Sequence, residues 1–208
     1  MEIPTVMIRP PERPPFPPFV QYAEAFPFLS DAECQAVIDY AESAKLAPGT
    51  IGNGGNDTHY EDASYRCVKL RVLQCVEDNL GWLFARVRER VDWTNQDYYR
   101  FDLHGLVEGM QYLRYDADAT IPGHYKWHQD YGGGLSSHRK LSVTIQLSKP
   151  EDYTGCRLKM AAPEEFEIPT LARGTGVIFP SWQPHCVTPI QSGVRRALVA
   201  WVAGPQFR

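Results

Sequence analysis

The strongest constraint on the fold is a series of short apolar runs that begins at Tyr98. Beyond it the chain contains YYRFDLHGL, GMQYLRY, KLSVTIQLS, CRLKM, GTGVIF and ALVAWVA, separated by glycine, proline and aspartate. Short runs of β-branched and aromatic residues between turn residues predict strands, and their close spacing favours an antiparallel sandwich or small barrel over alternating strands and helices. Residues 98–208 are therefore expected to form a β core.

Helical periodicity dominates residues 28–97, which we expect to support that core. Ser30 and Glu33 form a capping-box pattern, and apolar residues follow at helical spacing, so a first helix is predicted from Ser30 to about Leu46. A second helix is predicted from six apolar residues that recur at intervals of three and four: Val76, Leu80, Leu83, Phe84, Val87 and Val91. The predicted architecture is mainly β with flanking α-helices, in a single domain over residues 1–208.

Two other segments lie between these helices. Alternation of Val68, Leu70 and Val72 predicts a half-buried strand over residues 66–73. The sequence GNGGND at 52–57 predicts a loop. A second glycine-rich segment, GGGLSSHR, occurs at 132–139, and both segments are interpreted as lids over a site or as permissive turns.

The first 27 residues are rich in proline. Eight of the 17 prolines occur there, a density that excludes a helix and favours an extended, polyproline-like arm. Such an arm can be a spacer laid on the domain, or a ligand for SH3-type partners.

Composition narrows the class of protein. A net charge of −4 gives no bulk attraction for phosphate backbones, so nucleic acid is not the expected partner. There is no long apolar run and no apolar core typical of a secretory signal, so we expect a soluble cytoplasmic protein without a membrane segment. The five cysteines are scattered and odd in number, which predicts reduced thiols.

The most informative motif for chemistry is Trp127-His128-Gln129-Asp130. On a strand, residues two apart share a face, so His128 and Asp130 can bind one metal ion. His185 follows a run that reads as a core strand and can supply a third ligand. Two histidines and one carboxylate suit non-haem Fe(II). Because H-x-D is also common without a metal, this prediction depends on its context.

That context includes the last predicted strand. Arg195 begins a face that continues with Ala197, Val199 and Trp201, and an inward arginine needs an anionic partner. Its guanidinium is suited to a two-pronged grip on a carboxylate. Arg196 points the other way and is predicted to be a solvated surface residue.

In this order, His128-x-Asp130, His185 and Arg195 resemble the 2-oxoglutarate and Fe(II)-dependent oxygenases of the prolyl 4-hydroxylase-like group, in particular bacterial and phage PKHD-type hydroxylases. The resemblance covers residues 107–203. It implies a double-stranded β-helix (jelly-roll) core, Fe(II) at the three ligands, and 2-oxoglutarate bound by Arg195. Dioxygen is the implied oxidant, with ascorbate as an auxiliary requirement.

The same resemblance suggests further site residues. Gln146 stands where the family often has a tyrosine, and Tyr115 fits a tyrosine of the family pattern Y-x-x-G-x-x-Y-x-x-H-x-D; both are assigned to 2-oxoglutarate. Tyr125, Thr144 and Trp201 are assigned to the substrate or pocket wall, although Tyr125 and Trp201 can equally be packing aromatics. No catalytic residue beyond the metal ligands is implied.

The implied reaction is hydroxylation of a C–H bond, with a peptidyl proline as the first candidate and a proline-containing peptide or protein as partner. Another amino acid, a small metabolite or a nucleobase is the alternative substrate. An AlkB-like demethylase is disfavoured, because only Arg208 follows Arg196 and the chain is acidic. A non-catalytic, cupin-like binding module is the alternative from a different class.

Overall fold

The computed structural model describes residues 22–25, 27–53, 56–76, 78–161, 163–169 and 171–207. Most of the predicted proline-rich arm lies outside these residues. Of the two α-helices in the described part of the chain, neither has the length and apolarity needed to cross a membrane.

Strands make up most of the regular structure in these residues. In chain order they are β1 (Ala23–Ala25), β2 (Ala47–Pro48), β3 (Ile51–Asn53), β4 (Asn56–Tyr60), β5 (Arg66–Cys67), β6 (Lys69–Leu73), β7 (Met110–Asp116), β8 (His124–His128), β9 (Arg139–Gln146), β10 (Tyr153–Gly155), β11 (Leu158–Ala161), β12 (Glu165–Glu167), β13 (Gly176–Pro180), β14 (His185–Val187) and β15 (Ile190–Ala203). The helices are α1 (Asp31–Glu42) and α2 (Gly81–Thr94), and a π-helical turn (Asn95–Tyr99) continues α2. Shorter 3-10 turns occupy Gly134–His138 and Pro150–Asp152.

The strands form two main sheets in which every pair is antiparallel. The large sheet has the order β1-β13-β9-β15-β7-β6-β2, with β10 also paired to β15, and the small sheet has the order β12-β11-β14-β8-β5. Strands β3 and β4 form a separate hairpin. Apolar side chains from both main sheets, among them Leu113 and Tyr115 on β7 and Val187 on β14, share one buried cluster between the sheets. The prediction of a mainly β fold is confirmed.

The two helices cover the other face of the large sheet. The buried side of α1 and that of α2 share one core with β7, β9 and β15. The predicted capping box is present, since Ser30 Oγ accepts from the Glu33 amide and the Glu33 carboxylate accepts from the Ser30 amide. The prediction for Arg196 is wrong, because Glu42 of α1 lies over it and accepts from its Nε at 2.9 Å.

Both helices are shorter than predicted. Helix α1 ends at Glu42 instead of Leu46, because the chain must be extended by Ala47 to pair with Leu70. Helix α2 begins at Gly81, since Asn79 has a left-handed φ of 54° that interrupts any helix running from Val76. Val76 is accordingly exposed.

The strand predicted over 66–73 is divided between the two sheets. Its first part, β5, pairs with β8 in the small sheet, whereas β6 pairs with β7 in the large sheet. Val68 and Leu70 are buried as predicted, but Val72 is 43% exposed. The loop predicted at 52–57 is also wrong in part, because Gly52 lies in β3 and Asp57 in β4, whose pairing makes this segment a hairpin.

The run from Tyr98 to Leu106 is not a strand. The Asn95 side chain donates to the Phe101 carbonyl and accepts from the Phe101 amide, both at 2.9 Å, which closes a π-helical turn. Arg100 then has a left-handed φ of 55°. Strand periodicity cannot reveal such a side-chain cap. The glycine-rich segment at 132–139 likewise contains a 3-10 turn instead of a purely irregular loop.

Candidate metal centre

The side chains of His128, Asp130 and His185 converge at one end of the small sheet. His128 ends β8 and pairs in register with His185, which begins β14, while Asp130 follows two residues after His128. The Asp130 carboxylate lies 3.8 Å from His128 Nε2 and 3.6 Å from His185 Nε2. Ligand atoms of the three residues lie within 4.8 Å of one another, and no other group of this kind occurs among the described residues.

Hydrogen bonds orient both imidazoles toward this point. His128 Nδ1 lies 2.8 Å from the Lys126 carbonyl, and His185 Nδ1 lies 2.9 Å from the Gln183 carbonyl. A carbonyl only accepts, so each Nδ1 carries the proton and donates, which leaves each Nε2 lone pair free for a metal. Burial, together with the neighbouring His185, lowers the pKa of His128 to about 3, so its imidazole is neutral at neutral pH.

The Asp130 carboxylate is fixed by the large sheet. Its Oδ2 accepts from Ser142 Oγ at 2.7 Å, and the Asp130 amide donates to the Ser181 carbonyl at 2.9 Å. Burial alone would raise the pKa of Asp130, but His185, His128 and the hydrogen bond from Ser142 together hold it below its usual value. Two imidazoles and one carboxylate on one side of a metal leave positions open, which fits Fe(II).

Tyr125 packs directly on the first metal-ligand candidate. Its ring stacks on His128 with centroids 3.5 Å apart and planes 15° apart. The Arg66 guanidinium lies 4.7 Å from the centroid of the Tyr125 ring. The ring of Tyr125 therefore restricts the orientation of His128.

A cavity of about 520 Å³, including its open mouth, joins the three ligands to Arg195. Both sheets line it. Its wall includes the β15 face that begins at Arg195 and three other residues to which the sequence gave a site role: Arg195, Ala197, Val199, Trp201, Tyr115, Tyr125 and Thr144. Apolar side chains such as Leu158 and Phe179 cover much of the remainder.

Arg195 is buried without an acidic partner. It is 7% exposed, and among the described residues no carboxylate oxygen lies within ion-pair distance of its guanidinium. Its Nε donates to Gln146 Oε1 at 3.2 Å, and its guanidinium carbon lies 5.5 Å from the centroid of the Tyr115 ring. A buried cation without a counter-ion is costly, so this side chain is arranged for an anionic ligand.

Gln146 lies behind Arg195 instead of lining the cavity with the triad. Its Nε2 donates to Tyr153 Oη and to the Ser148 carbonyl, each at 3.1 Å. The family resemblance assigns Gln146 to 2-oxoglutarate, and the contact that the structure shows is with the Arg195 guanidinium. Its amide positions the arginine.

Two further arginines had no predicted role: Arg66, which lines this cavity, and Arg139, which stacks on its wall residue Trp201. Arg66 is 9% exposed, lines the cavity wall, and its Nε lacks a hydrogen-bond partner among the described residues. Arg139 lies over Trp201, 3.9 Å from the ring centroid, and pairs with Glu108 through two hydrogen bonds of 2.7 and 2.5 Å. Arg66 alternates with the buried Val68 and Leu70, a signal that could have marked it as inward.

Comparison with known proteins agrees with this geometry. The family model described as the 2OG-Fe(II) oxygenase superfamily matches residues 110–203. A PKHD-type hydroxylase from Synechococcus sp. (strain JA-3-3Ab) is 35% identical over 186 residues, covering 84% of this chain and 74% of that protein. The chain belongs to the 2OG-Fe(II) oxygenase superfamily. It falls within the PKHD-type group of these oxidoreductases.

Other relatives match over shorter stretches. The PKHD-type hydroxylase from Synechococcus sp. (strain CC9902) is 37% identical over 78 residues, which is 38% of this chain and 35% of that protein. A relative from Prochlorococcus marinus (strain NATL2A) is 32% identical over 103 residues, covering 49% of this chain and 44% of that protein. The chain thus spans less than half the length of these two oxygenases.

Two solved structures of prolyl hydroxylases share the fold. A prolyl-4-hydroxylase from Pseudomonas putida superposes with a TM-score of 0.66 at 17% identity, over 89% of this chain and 93% of that one. A prolyl hydroxylase from Trichoplax adhaerens, in complex with a peptide fragment of the hypoxia inducible factor oxygen degradation domain, gives 0.69 at 16% identity, over 88% and 84%.

Proposed function

We propose that this chain is a dioxygenase that binds Fe(II) through His128, Asp130 and His185 and uses 2-oxoglutarate to hydroxylate a C–H bond. One observation carries the proposal. A single cavity has the three ligands on one side and, on the other, a buried arginine for which the described part of the chain supplies no counter-ion. A metal site alone would not require Arg195, and a site for an anion alone would not require the triad.

The residues of the chain have distinct roles in this proposal. Arg195 binds the carboxylate of 2-oxoglutarate that is remote from the metal, while Gln146 fixes the guanidinium and Tyr115 packs against it. Fe(II) and 2-oxoglutarate supply the oxidation of the substrate by dioxygen, with succinate and carbon dioxide as co-products. Because the metal and co-substrate carry that chemistry, the protein needs no separate general base.

The remaining cavity wall excludes water and shapes the space for substrate. Thr144 lies on the β9 face that also carries Ser142, and it presents one hydroxyl in an otherwise largely apolar wall. Tyr125 and Trp201 present aromatic surface there. Shielding by such a wall strengthens electrostatic interactions within the cavity.

For the core we infer a double-stranded β-helix. Two facing antiparallel sheets, with metal-ligand candidates at one end of the small sheet, support this assignment, as does the likeness to the Pseudomonas putida fold. Ascorbate is expected as an auxiliary reductant in assays.

As substrate we propose a prolyl residue in a peptide. Two observations support this substrate: the relatives are named PKHD-type hydroxylases, and one structural neighbour was solved with a peptide fragment. Another amino acid or a small metabolite is the alternative substrate for the same chemistry. Nucleic acid and membranes are not proposed as partners.

The test starts with ligand binding. Anaerobic addition of Fe(II) and 2-oxoglutarate should produce a visible charge-transfer band, and His128→Ala, Asp130→Ala and His185→Ala should each abolish both the band and succinate formation. His104→Ala is the matched control, because this histidine is exposed and lies outside the cavity. His124 is a poor control, since it is buried and its ring nitrogens lie within hydrogen-bond distance of the Pro122 and Ser64 carbonyls, to one of which a neutral imidazole donates.

Substrate screening follows from the same assay. Proline-containing peptides should stimulate succinate release and gain one oxygen atom, measured by mass spectrometry. A band without turnover of any peptide, amino acid or metabolite would contradict the proposal and favour a cupin-like binding module.

A further inference from the structure

The N-terminal end of strand β1 lies close to the candidate metal centre. Strand β1 is an edge strand that runs antiparallel to β13, with Ala25 opposite Gly176 and Ala23 opposite Ile178. Traced backward from Ala25 to Ala23, β1 therefore runs in the same direction as β13 does from Gly176 toward Pro180 and Ser181. The Ser181 carbonyl accepts from the amide of Asp130, so this direction points to the end of the sheet that holds the triad.

Tyr22 brings the start of β1 close to one ligand. Its ring stacks on Phe166 with centroids 5.9 Å apart, and it packs against the apolar cluster that contains Phe179. The Phe179 ring in turn contacts the His185 imidazole edge-on, with centroids 4.8 Å apart. One small apolar cluster thus separates the entering chain from the candidate metal site.

The sequence immediately before Tyr22 is rich in the residue that the proposed reaction would modify. Residues 10–18 read PPERPPFPP, with Pro10 and Pro18 lying 12 and 4 positions before Tyr22. Chain dimensions of about 3.3 Å per residue limit the separation from Tyr22 to at most about 40 Å for Pro10 and about 13 Å for Pro18. A short tether of this kind gives an effective concentration on the order of millimolar at a nearby site.

We propose that the chain hydroxylates prolines of its own segment 10–18 in cis. This rests on the proposed function and names a substrate for it. A ring C–H bond of proline is replaced by C–OH, one oxygen atom of dioxygen enters the proline and the other enters succinate, and 2-oxoglutarate loses carbon dioxide. Dioxygen accepts four electrons, two from the C–H bond and two from 2-oxoglutarate, so no other reductant is needed for the step.

Mass spectrometry of the full-length chain is the first test. Incubation with Fe(II), 2-oxoglutarate and dioxygen should add oxygen to the peptide containing residues 10–18, at a first-order rate that does not change when the protein is diluted. Pro27 is the internal control, because the adjacent Phe28 is buried in the helix-side core and its amide donates to the Gly174 carbonyl. It should remain unmodified.

A second measurement requires no turnover. In full-length protein labelled with ¹³C-proline, Mn(II) at the triad should broaden the resonances of residues 10–18 relative to Zn(II), and should broaden Pro27 less. Replacement of all six prolines of segment 10–18 by alanine should remove the oxygen addition without changing succinate release with added proline peptides.

The outcomes separate this inference from the proposed function. If added peptides are turned over while residues 10–18 stay unmodified and their resonances are not broadened, the cis reaction is overturned and the proposed function stands. Modification whose rate rises in proportion to protein concentration would show a reaction between copies and also overturn it. No turnover with any substrate, together with no charge-transfer band, would instead contradict the proposed function.

Discussion

Arg195 is held from behind by Gln146. The guanidinium Nε donates to Gln146 Oε1 over 3.2 Å, and Gln146 is itself fixed by donation from Nε2 to Tyr153 Oη. Arg195 and Gln146 lie on neighbouring strands, β15 and β9, so the sheet sets the distance between them. The cation is thus oriented before any ligand arrives.

Gln146→Leu is therefore expected to weaken binding of 2-oxoglutarate about tenfold, because a hydrogen bond to a charged group is lost and the guanidinium is no longer oriented. The measurement is titration of 2-oxoglutarate into the anaerobic Fe(II) protein. Tyr153→Phe is the control and should change the affinity less, since Gln146 keeps its bond to the Ser148 carbonyl. Equal affinities for Gln146→Leu and wild type would refute the positioning role.

Ser142→Ala should weaken metal binding about tenfold, because outer partners of a metal ligand typically contribute that much. The Ser142 hydroxyl donates to Asp130 Oδ2 and lies 3.0 Å from the Ser181 hydroxyl. Competition with a chelator gives the affinity. Ser181→Ala removes a hydroxyl one step further from the carboxylate and should have the smaller effect; the opposite order would contradict this assignment.

Glu42→Gln should lower the free energy of unfolding by about 1–3 kcal/mol at pH 7. Glu42 Oε1 accepts from Tyr112 and Arg196 at 2.5 and 2.9 Å, and its Oε2 lies 3.2 Å from Arg114. Urea unfolding measures the loss, and Glu89→Gln, an exposed position without a described ion pair, should change it by less than about 0.5 kcal/mol.

The same carboxylate predicts a dependence on pH. Burial alone would raise the pKa of Glu42, but hydrogen bonds from Arg196 and Tyr112 and the nearby arginine charges hold it below the ordinary 4.5. Its stabilisation is therefore complete above pH 4.5 and is lost as the pH falls through the lower pKa of the folded state. Glu42→Gln should lose less stability than wild type over that acid range. Parallel curves would contradict the prediction.

Gly174→Ala should destabilise the fold by more than about 2 kcal/mol or prevent folding. Gly174 has a φ of +79°, and an added Cβ would lie 1.9 Å from the Leu29 carbonyl oxygen. Gly81→Ala, at the start of α2, would meet no atom within 4 Å and should be neutral or stabilising by up to about 1 kcal/mol. Unfolding in urea compares the two.

The sequence predicted those features of the fold that depend on residues close together in the chain. The capping box at Ser30, the strands around Tyr112 and Thr144, and the alternating face that begins at Arg195 depend on neighbours a few residues away. The family resemblance then grouped His128, Asp130 and His185, and the structure places these residues together.

Features decided by distant contacts could not be predicted in this way. The segment 66–73 reads as one strand, but its halves pair with strands of different sheets. Arg196 reads as a surface residue, and only the packing of α1 supplies Glu42 above it. The contact between Gln146 and Arg195 is likewise set by the register between β9 and β15, for which the sequence carries no local signal.

The strand β15 places two adjacent arginines on opposite faces, Arg195 in the cavity and Arg196 beneath α1. Side chains alternate along a strand, so insertion or deletion of one residue just before this pair, with the turn kept, would reverse their faces. The cavity would lose its cation and the helix its ion pair in one event. Insertion or deletion of two residues keeps Arg195 and Arg196 on their present faces. The length of this stretch can therefore change only by an even number of residues.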